Sequence, residues 1–271
     1  MRSHRWTLRT IVLLYLGILI GLPVVFLVLK AFGHGFGAFW GEVTQTDALS
    51  ALKLSLVIAA IAVPINTIVG VGAALLIARH DFLGKRVFDT IFDVPVAISP
   101  IIIGVSLVLA YSRIGWFGAP LARWGLNVLF TPLGVALATM SVSLPYVLRS
   151  IVPVLNEIGQ DQEHAARTLG AGRLRIFWNV TLPSIRWAVL YGVTLTIART
   201  LGEFGAVLVV SGNITGVTQT LPIYIYDSWD QRFDVLGSYS GALVLALISV
   251  AVLSILAVLR RRERKLLVDF A

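Results

Sequence analysis

Inside an almost uncharged stretch, Gly192, Thr196, Arg199 and Glu203 recur at steps of four, three and four. That spacing places all four on one face of a helix. Arg199 and Glu203 stand at i and i+4, where opposite charges can meet. Two chemistries fit. In one, Arg199 lines a path for an anion and Glu203 sets its rotamer or gates it. In the other, the two charges form a structural ion pair that holds this helix against a neighbour, a reading favoured by the repulsion Glu203 would exert on an anion. Ser211, Gly212 and Asn213 follow at the end of the same stretch. Their hydroxyl, amide and backbone donors suit transient contact with an oxyanion. Gly and Asn equally suit a left-handed helix cap.

A second constellation lies upstream, in the longest polar stretch of the chain, residues 150–186. Apolar residues recur there with helical spacing at Ile158, Ala165, Ala166 and Leu169, and again at Ile176, Phe177 and Val180. Gly170 and Gly172 separate the two halves, and Pro183 is expected to end the second. Two short helices joined by a bend, lying at a membrane surface, would serve as a docking element for a soluble partner.

The elements that position these residues must be membrane helices. The 271 residues are 57% apolar and 13% charged, against roughly 25% charged in an ordinary soluble domain. Mean hydropathy is +0.87, so a soluble globular enzyme is excluded. Runs long enough to cross about 30 Å of hydrocarbon predict six spans, at 10–30, 54–78, 94–112, 131–150, 187–212 and 235–259. The fold class is therefore all-α and polytopic, a single transmembrane domain over 1–271. None of the runs alternates with period two, which argues against a β-barrel. The basic start and the first span together resemble a signal peptide, but the length of the run and the five spans after it predict a retained helix. Gly17/Gly21 and Gly237/Gly241 each form a GxxxG, read as ordinary close packing.

Most Lys and Arg residues fall on four segments: Arg2, Arg5 and Arg9; Arg79, Lys85 and Arg86; Arg149, Arg167, Arg173, Arg175 and Arg186; and Arg260, Arg261, Arg262, Arg264 and Lys265. The positive-inside rule then puts both termini in the cytoplasm. The formal charge of +8 is spread over these helix ends rather than over one face, so nucleic acid is not expected as a partner. With no cysteine, disulfides, thiolate metal sites and cysteine nucleophiles are excluded. His4, His34, His80 and His164 lie in four separate segments, without the spacing of metal ligands. Pro64, Pro95, Pro100 and Pro145 sit in or at the mouths of spans two to four, as bend points or simply as shaped membrane helix. Asn66, alone among apolar residues in span two, is expected to hydrogen-bond to another helix.

The segment "EHAARTLGAGRLRIFWNVTLP" resembles the signature loop of binding-protein-dependent ABC importer permeases, which runs Glu-Ala-Ala, three residues, Gly, nine residues, Ile, one residue, Leu-Pro. Ala165, Ala166, Gly170, Leu182 and Pro183 match, Val180 replaces Ile, and His164 stands at the position of the Glu. Glu163 is adjacent, but one residue of helix is a 100° turn, so it is not expected to make the ion pair of that Glu. "ARTLGEFGAVLVVSGNITGVTQTLP", "DALSALKLSL", "IAVPIN", "DVPVAISPIIIG" and "GWFG" are similar to the oxyanion branch, and within it to the W-type subunit of bacterial sulfate/thiosulfate importers. Molybdate or tungstate is the alternative cargo.

The resemblance implies a six-helix type I (MetI-like) importer fold in the bacterial plasma (inner) membrane. It implies as partners a T-type permease subunit, two cytoplasmic ATPase subunits and an extracytoplasmic sulfate-binding protein. It makes Glu163, His164, Ala165, Ala166, Arg167, Leu169, Gly170 and Arg173 the residues that couple to the ATPases. Bringing a dianion into a negative interior costs about 4–5 kcal/mol per 100 mV. The chain has no phosphate-binding G-x-x-x-x-G-K-[ST] loop, since Gly84-Lys85 is followed by Arg86. No catalytic site, cofactor or metal is therefore expected on it, and ATP with Mg²⁺ would sit on the partner ATPases. A gradient-driven secondary transporter is the reading from another class; it would need intramembrane carboxylates, and Glu203 is the one available.

Overall fold

The computed structural model describes the backbone of residues 2–269 and the side chains of residues 9–255. Arg2, Arg5, His4, Arg260, Arg261, Arg262, Arg264 and Lys265 therefore lie outside the described side chains. Among the described residues all regular secondary structure is helical. Helices α1 (Arg2–Leu16) and α2 (Leu22–Ala31) run on through a π-helical turn at Gly17–Gly21, followed by a short α3 (Phe36–Val43) and a long α4 (Thr46–Arg79). Next come α5 (Lys85–Ala97), α6 (Pro100–Tyr111) and a single-turn α7 (Gly118–Arg123). Helices α8 (Pro132–Ser143) and α9 (Pro145–Ile158) lead to the polar loop, which holds α10 (Asp161–Thr168) and α11 (Arg173–Ile176). The chain closes with α12 (Leu182–Leu201), α13 (Gly205–Ser211), α14 (Leu221–Asp230) and α15 (Val235–Asp269).

Five helical stretches are long and apolar enough to cross a bilayer: Arg9–Ala31, Thr46–Arg79, Pro132–Ile158, Arg173–Leu201 and Val235–Ile255. The stretch expected at 94–112 is built differently. Residues 94–97 finish α5, the axis turns by 113°, and α6 starts at Pro100. Pro100 disfavours helical backbone at the residue before it, and Ser99 is extended, with φ −58° and ψ 136°. The stretch expected at 187–212 starts earlier and is broken. Pro183 does not end a surface helix: α11 passes through a π-helical turn at Phe177–Thr181 into α12, and Pro183 sits just after that turn within the continuous helical run Arg173–Leu201. At Gly202–Phe204 the helix stops, and α13 resumes at Gly205. Pro64, by contrast, is carried inside an unbroken α4.

The core lies between α4, α9 and α12 at one end of the bundle and between α4, α6, α8 and α13 at the other. Ala73, Ala74, Ile77, Val147, Leu148, Ile151, Leu155 and Ile185 form the first cluster. Ile58, Val135, Ala138, Val142, Ala206, Val207, Val210 and Ile223 form the second. Small residues bring the backbones together: a Cβ on Gly70 or on Gly192 would lie 2.8 Å from Val147 atoms, and one on Gly104 would lie 2.7 Å from the Ala206 carbonyl. Helix α2 rests on α15, with Phe26 edge-on to Tyr239, while α1 and α2 otherwise expose Leu, Ile and Val. The close packing expected of Gly17 and Gly21 is not made within the described residues, where nothing lies within 4 Å of either missing Cβ.

Asn66 makes the interhelical bond expected of it. Its Nδ2 donates to the Met140 carbonyl (3.0 Å) and to Ser143 Oγ (2.9 Å), fastening α4 to α8 just before the chain passes into α9 at Pro145. Interhelical hydrogen bonds in membranes are worth about 0.6 kcal/mol, up to about 1.7. Asn66→Leu, of similar volume, should therefore lower stability by about 1 kcal/mol, readable as an earlier midpoint in a denaturant titration of the detergent-solubilised chain. An unchanged midpoint would mean that the bond contributes nothing net.

Candidate coupling and translocation site

The polar loop is held from within by one ion pair. Glu163 Oε1 accepts from Arg79 Nε (3.2 Å) and Nη2 (3.1 Å), and from Thr181 Oγ1 (3.0 Å). Arg79 Nη1 donates to the Leu155 carbonyl at 3.0 Å. Both charged side chains are largely buried. Arg79, the last residue of α4, thus fastens α10 to α9 and to the turn that leads into α12. Glu163 thus makes an ion pair of its own, with Arg79. Its 100° offset from His164 turns it inward, and His164 is left on the exposed side. In the sequence Arg79 stands out only as a charge at a helix end; its partner lies 84 residues further on, and no local spacing connects them.

Around this anchor the expected coupling residues divide. Ala166 is half-buried, while His164, Ala165, Arg167, Leu169, Gly170 and Arg173 are exposed. Gly170 has φ +85°, a left-handed conformation that closes α10 through Gly170 N–H to the Arg167 carbonyl (3.0 Å) and Ala171 N–H to the Ala166 carbonyl (3.0 Å). Leu169 is 88% exposed, and Leu174 and Trp178 are bare as well. Large apolar side chains beside Arg167, Arg173 and Arg175 form the kind of surface that a protein partner covers. Nearby, Arg149 Nε donates to Asp93 Oδ1 (2.6 Å) and its Nη2 contacts Asp89 Oδ1 (3.0 Å), tying α9 to α5.

The seam on α12 is not a single open face. Gly192 packs on Val147 and Ser150 of α9, and Thr196 is fully buried, its hydroxyl donating to the Gly192 carbonyl (2.8 Å). Arg199 and Glu203 come together across the break, with Nη2 and Oε2 at 2.8 Å and side-chain exposures of 27% and 1%. This contact is charge against charge, because Glu203 Oε2 has no hydrogen bond of good alignment. Glu203 Oε1 accepts the Ala206 N–H at 2.9 Å and so caps the start of α13. The carboxylate is therefore fixed on both sides, and of the four seam residues Arg199 is the charged one with surface left open.

Ser211, Gly212 and Asn213 form the cap. Gly212 (φ +67°) and Asn213 (φ +51°) are left-handed, and Ser211 Oγ accepts the Asn213 N–H at 3.1 Å. The polar groups in this turn are engaged internally. Thr218 Oγ1 donates to the Ser211 carbonyl (2.7 Å), Asn213 Nδ2 to Asp227 Oδ1 (2.8 Å) and Gln219 Nε2 to Asn213 Oδ1 (2.8 Å). Arg232 completes the network through Nε to Asp227 Oδ2 (2.8 Å) and Nη1 to Asp47 Oδ2 (3.0 Å), bridging α14 to the first turn of α4. The Asp47 bond, joined by Asp227 and opposed by burial, holds the Arg232 guanidinium above its usual range. Its long-range bond, from Arg232 to Asp47, joins residues 185 apart and left no local pattern to read. Among the described residues no group of three or more His, Cys, Asp or Glu could hold a metal.

A bundle of bent and broken membrane helices with a folded, partly bare polar loop defines the class: a polytopic permease. Residues 66–265 match the family described as binding-protein-dependent transport system inner membrane component, and the chain belongs to that family. It is 43% identical over 258 residues to the sulfate transport system permease protein CysW of Synechocystis sp., covering 95% of this chain and 93% of that relative. It is 34% identical over 246 residues to the sulfate transport system permease protein CysT of Synechococcus elongatus, covering 91% and 88%. Among solved structures, a bacterial alginate ABC transporter in complex with alginate pentasaccharide-bound periplasmic protein shares the fold, with a TM-score of 0.80 at 16% identity over 96% of both chains.

Proposed function

We propose that this chain is a permease subunit of an ATP-driven importer that moves sulfate or thiosulfate into the cytoplasm by alternating access. The observation that carries the mechanism is the Glu163–Arg79 clamp. It makes the polar loop one body with the ends of α4, α9 and α12, while Leu169, Leu174 and Trp178 stay bare for a partner. Force applied to the bare face then reaches three helices at once. The cargo is inferred from the relatives named for sulfate transport, which match this chain over nearly its whole length.

The partners follow from the same reasoning. The chain has no nucleotide loop of its own, so hydrolysis of Mg-ATP is assigned to two separate ATPase subunits docked on α10 and its surroundings. Likeness to both CysW and CysT relatives supports a pair of related permeases, this chain with a T-type partner. An extracytoplasmic sulfate-binding protein would deliver the anion. The clustered basic residues support a topology with the loop end and both termini on the cytoplasmic side of a bacterial inner membrane and the α14 end facing out. Within the bundle we assign Arg199 as the anion contact at the helix break and Glu203 as its fixed counter-charge. Thr196 and the Ser211–Gly212–Asn213 turn support the shape of that path rather than touch the cargo.

Reconstituting the chain with these candidate subunits and following labelled sulfate and molybdate tests the assignment. Sulfate uptake that needs ATP and all subunits is the expected result. Uptake by the chain alone, driven by an ion gradient, would replace the proposal with a secondary transporter, and molybdate uptake without sulfate would change the cargo.

A further inference from the structure

At the end of the bundle opposite the polar loop, the connection between α6 and α8 is folded rather than loose. It turns back on the end of α6 through Gly115 N–H to the Ser112 carbonyl (2.8 Å) and Phe117 N–H to the Ala110 carbonyl (3.0 Å), and it rejoins α13 through Phe130 N–H to the Val210 carbonyl (3.1 Å). The turn tolerates no Cβ at Gly118, which would fall on the Ser112 carbonyl. Between this fold and the start of α8 lies a cleft of about 600 Å³. Leu121, Leu126 and Val128 give it an apolar lining, to which Arg113 and Asn127 add polar groups.

Charge and exposure there are unusual. No acidic residue occurs between Asp93 and Glu157, and among the described residues neither Arg113 nor Arg123 makes a salt bridge or a side-chain hydrogen bond. The neighbouring Arg232, at the same end of the bundle, has two carboxylates. Trp116 is 87% exposed and Trp124 82%, with Ile114 and Phe117 also bare. Bare tryptophans beside arginines, where two helices leave the hydrocarbon, match the interfacial belt of a membrane protein. An aqueous anion would leave these apolar walls uncovered. A ligand that joins a negative head to a hydrocarbon tail satisfies both the arginines and the walls.

We propose that this cleft binds one anionic phospholipid, with the head-group phosphate at Arg113, which lines it, Arg123 following the lining residue Ala122 in the chain as a second cation, and an acyl chain along Leu121, Leu126 and Val128. The proposal needs only that the chain is embedded in a bilayer, and it stands whether or not the cargo is sulfate. The lipid would seat the α6–α8 connection, which is hydrogen-bonded to α13 and so to the far side of the helix break.

The full chain, with any subunits that co-purify, is titrated in mild detergent with phosphatidylglycerol and with phosphatidylcholine of the same acyl chains. Bound lipid is read by native mass spectrometry. The wild type should take up one phosphatidylglycerol in preference. Affinity should fall about fivefold for each arginine removed, in Arg113→Gln and then in Arg113→Gln with Arg123→Gln. Ala122→Trp, which fills the cleft and leaves the charges in place, should weaken both lipids. Equal phosphatidylglycerol binding by wild type and the double variant overturns the proposal. So does displacement of the lipid by millimolar sulfate, which would make the corner a site for the free anion. Loss of docking by an external binding protein, with lipid binding unchanged, would make it a protein surface instead.

Discussion

Glu163→Gln is expected to reduce ATP-driven uptake by more than tenfold while the chain still inserts and accumulates in the membrane. The substitution keeps the shape of the side chain and removes the charge. Arg79 then keeps its bond to the Leu155 carbonyl and can still donate to the amide oxygen, but it sits largely buried without a counter-ion. Leaving one partner of a buried pair uncompensated costs about 3–5 kcal/mol. The side chains here are 10% and 17% exposed, so water offsets part of that cost, and the low end, about 3 kcal/mol, is the expected loss. A loss of that size is comparable to the several kcal/mol of differential stabilisation that separates two transporter states. The chain can shed it by releasing α10 from α4, which breaks the link between loop and bundle. Nucleotide hydrolysis by the assembled complex should then continue at its basal rate without driving transport. Arg79→Gln should give the same phenotype. Combining it with Glu163→Gln should be less damaging than the sum of the two, since neither leaves a charge behind for the other to suffer. Additive losses, or intact coupling in Glu163→Gln, would show that the loop transmits force by another route.

The first, second, fourth and last apolar runs coincide with helices long and apolar enough to cross a bilayer, because backbone polar groups in an uncharged run of that length must be satisfied internally. What hydropathy did not reveal are the irregularities. The turn at Ile98–Ser99 falls inside an uncharged run, and the stop at Gly202–Phe204 falls inside an apolar run broken only by Arg199 and Glu203, too few charges to end a span by count. Pro100 and the pair Gly202 and Gly205 were the local signs, and each also occurs in intact membrane helices. Pro183 misled in the opposite sense: it was read as a terminator, whereas the preceding π-helical turn absorbs it. Sites followed the same division. The charged pair of Arg199 and Glu203 was visible as i and i+4 on one helix, and so was the polar face of the loop. The clamps that give those residues their geometry, Arg79 on Glu163 and Arg232 between Asp47 and Asp227, join segments separated by 84, 185 and 5 residues. The two long-range ones depend on which helices become neighbours, and that is settled by packing at positions such as Gly70, Gly104 and Gly192 rather than by any local pattern.

Arg199→Gln should lower uptake at least tenfold, and the informative comparison is its combination with Glu203→Gln. Alone, Arg199→Gln leaves the Glu203 carboxylate inside the bundle with the Ala206 N–H as its partner. A lone charge at that depth costs about 2.5–3.5 kcal/mol on the insertion scale, so abundance should fall together with uptake. Glu203→Gln retains an oxygen to accept from Ala206 N–H and leaves Arg199 uncompensated in the same way. The double variant carries no charge at the break, keeps the cap on α13, and should recover abundance under either role for the pair. Uptake separates the roles. If Arg199 contacts the anion, the recovered protein should still transport at least tenfold more slowly than wild type per molecule, a loss of about 1.4 kcal/mol or more at the barrier. Arg199→Lys should retain more uptake than Arg199→Gln, with weaker affinity for cargo because the planar two-pronged donor is gone. If the double variant transports as the wild type does, the pair is a structural bond between the two halves of a broken helix, and the anion takes a path that avoids it. The side chains already favour an asymmetric outcome: Glu203 is fixed by the backbone it caps, while Arg199 meets it without an aligned hydrogen bond and keeps surface open. An anion that reached the break would meet a guanidinium in 2.8 Å contact with a carboxylate but with further donors to offer, and it is this reading that the double variant separates from a purely structural pair.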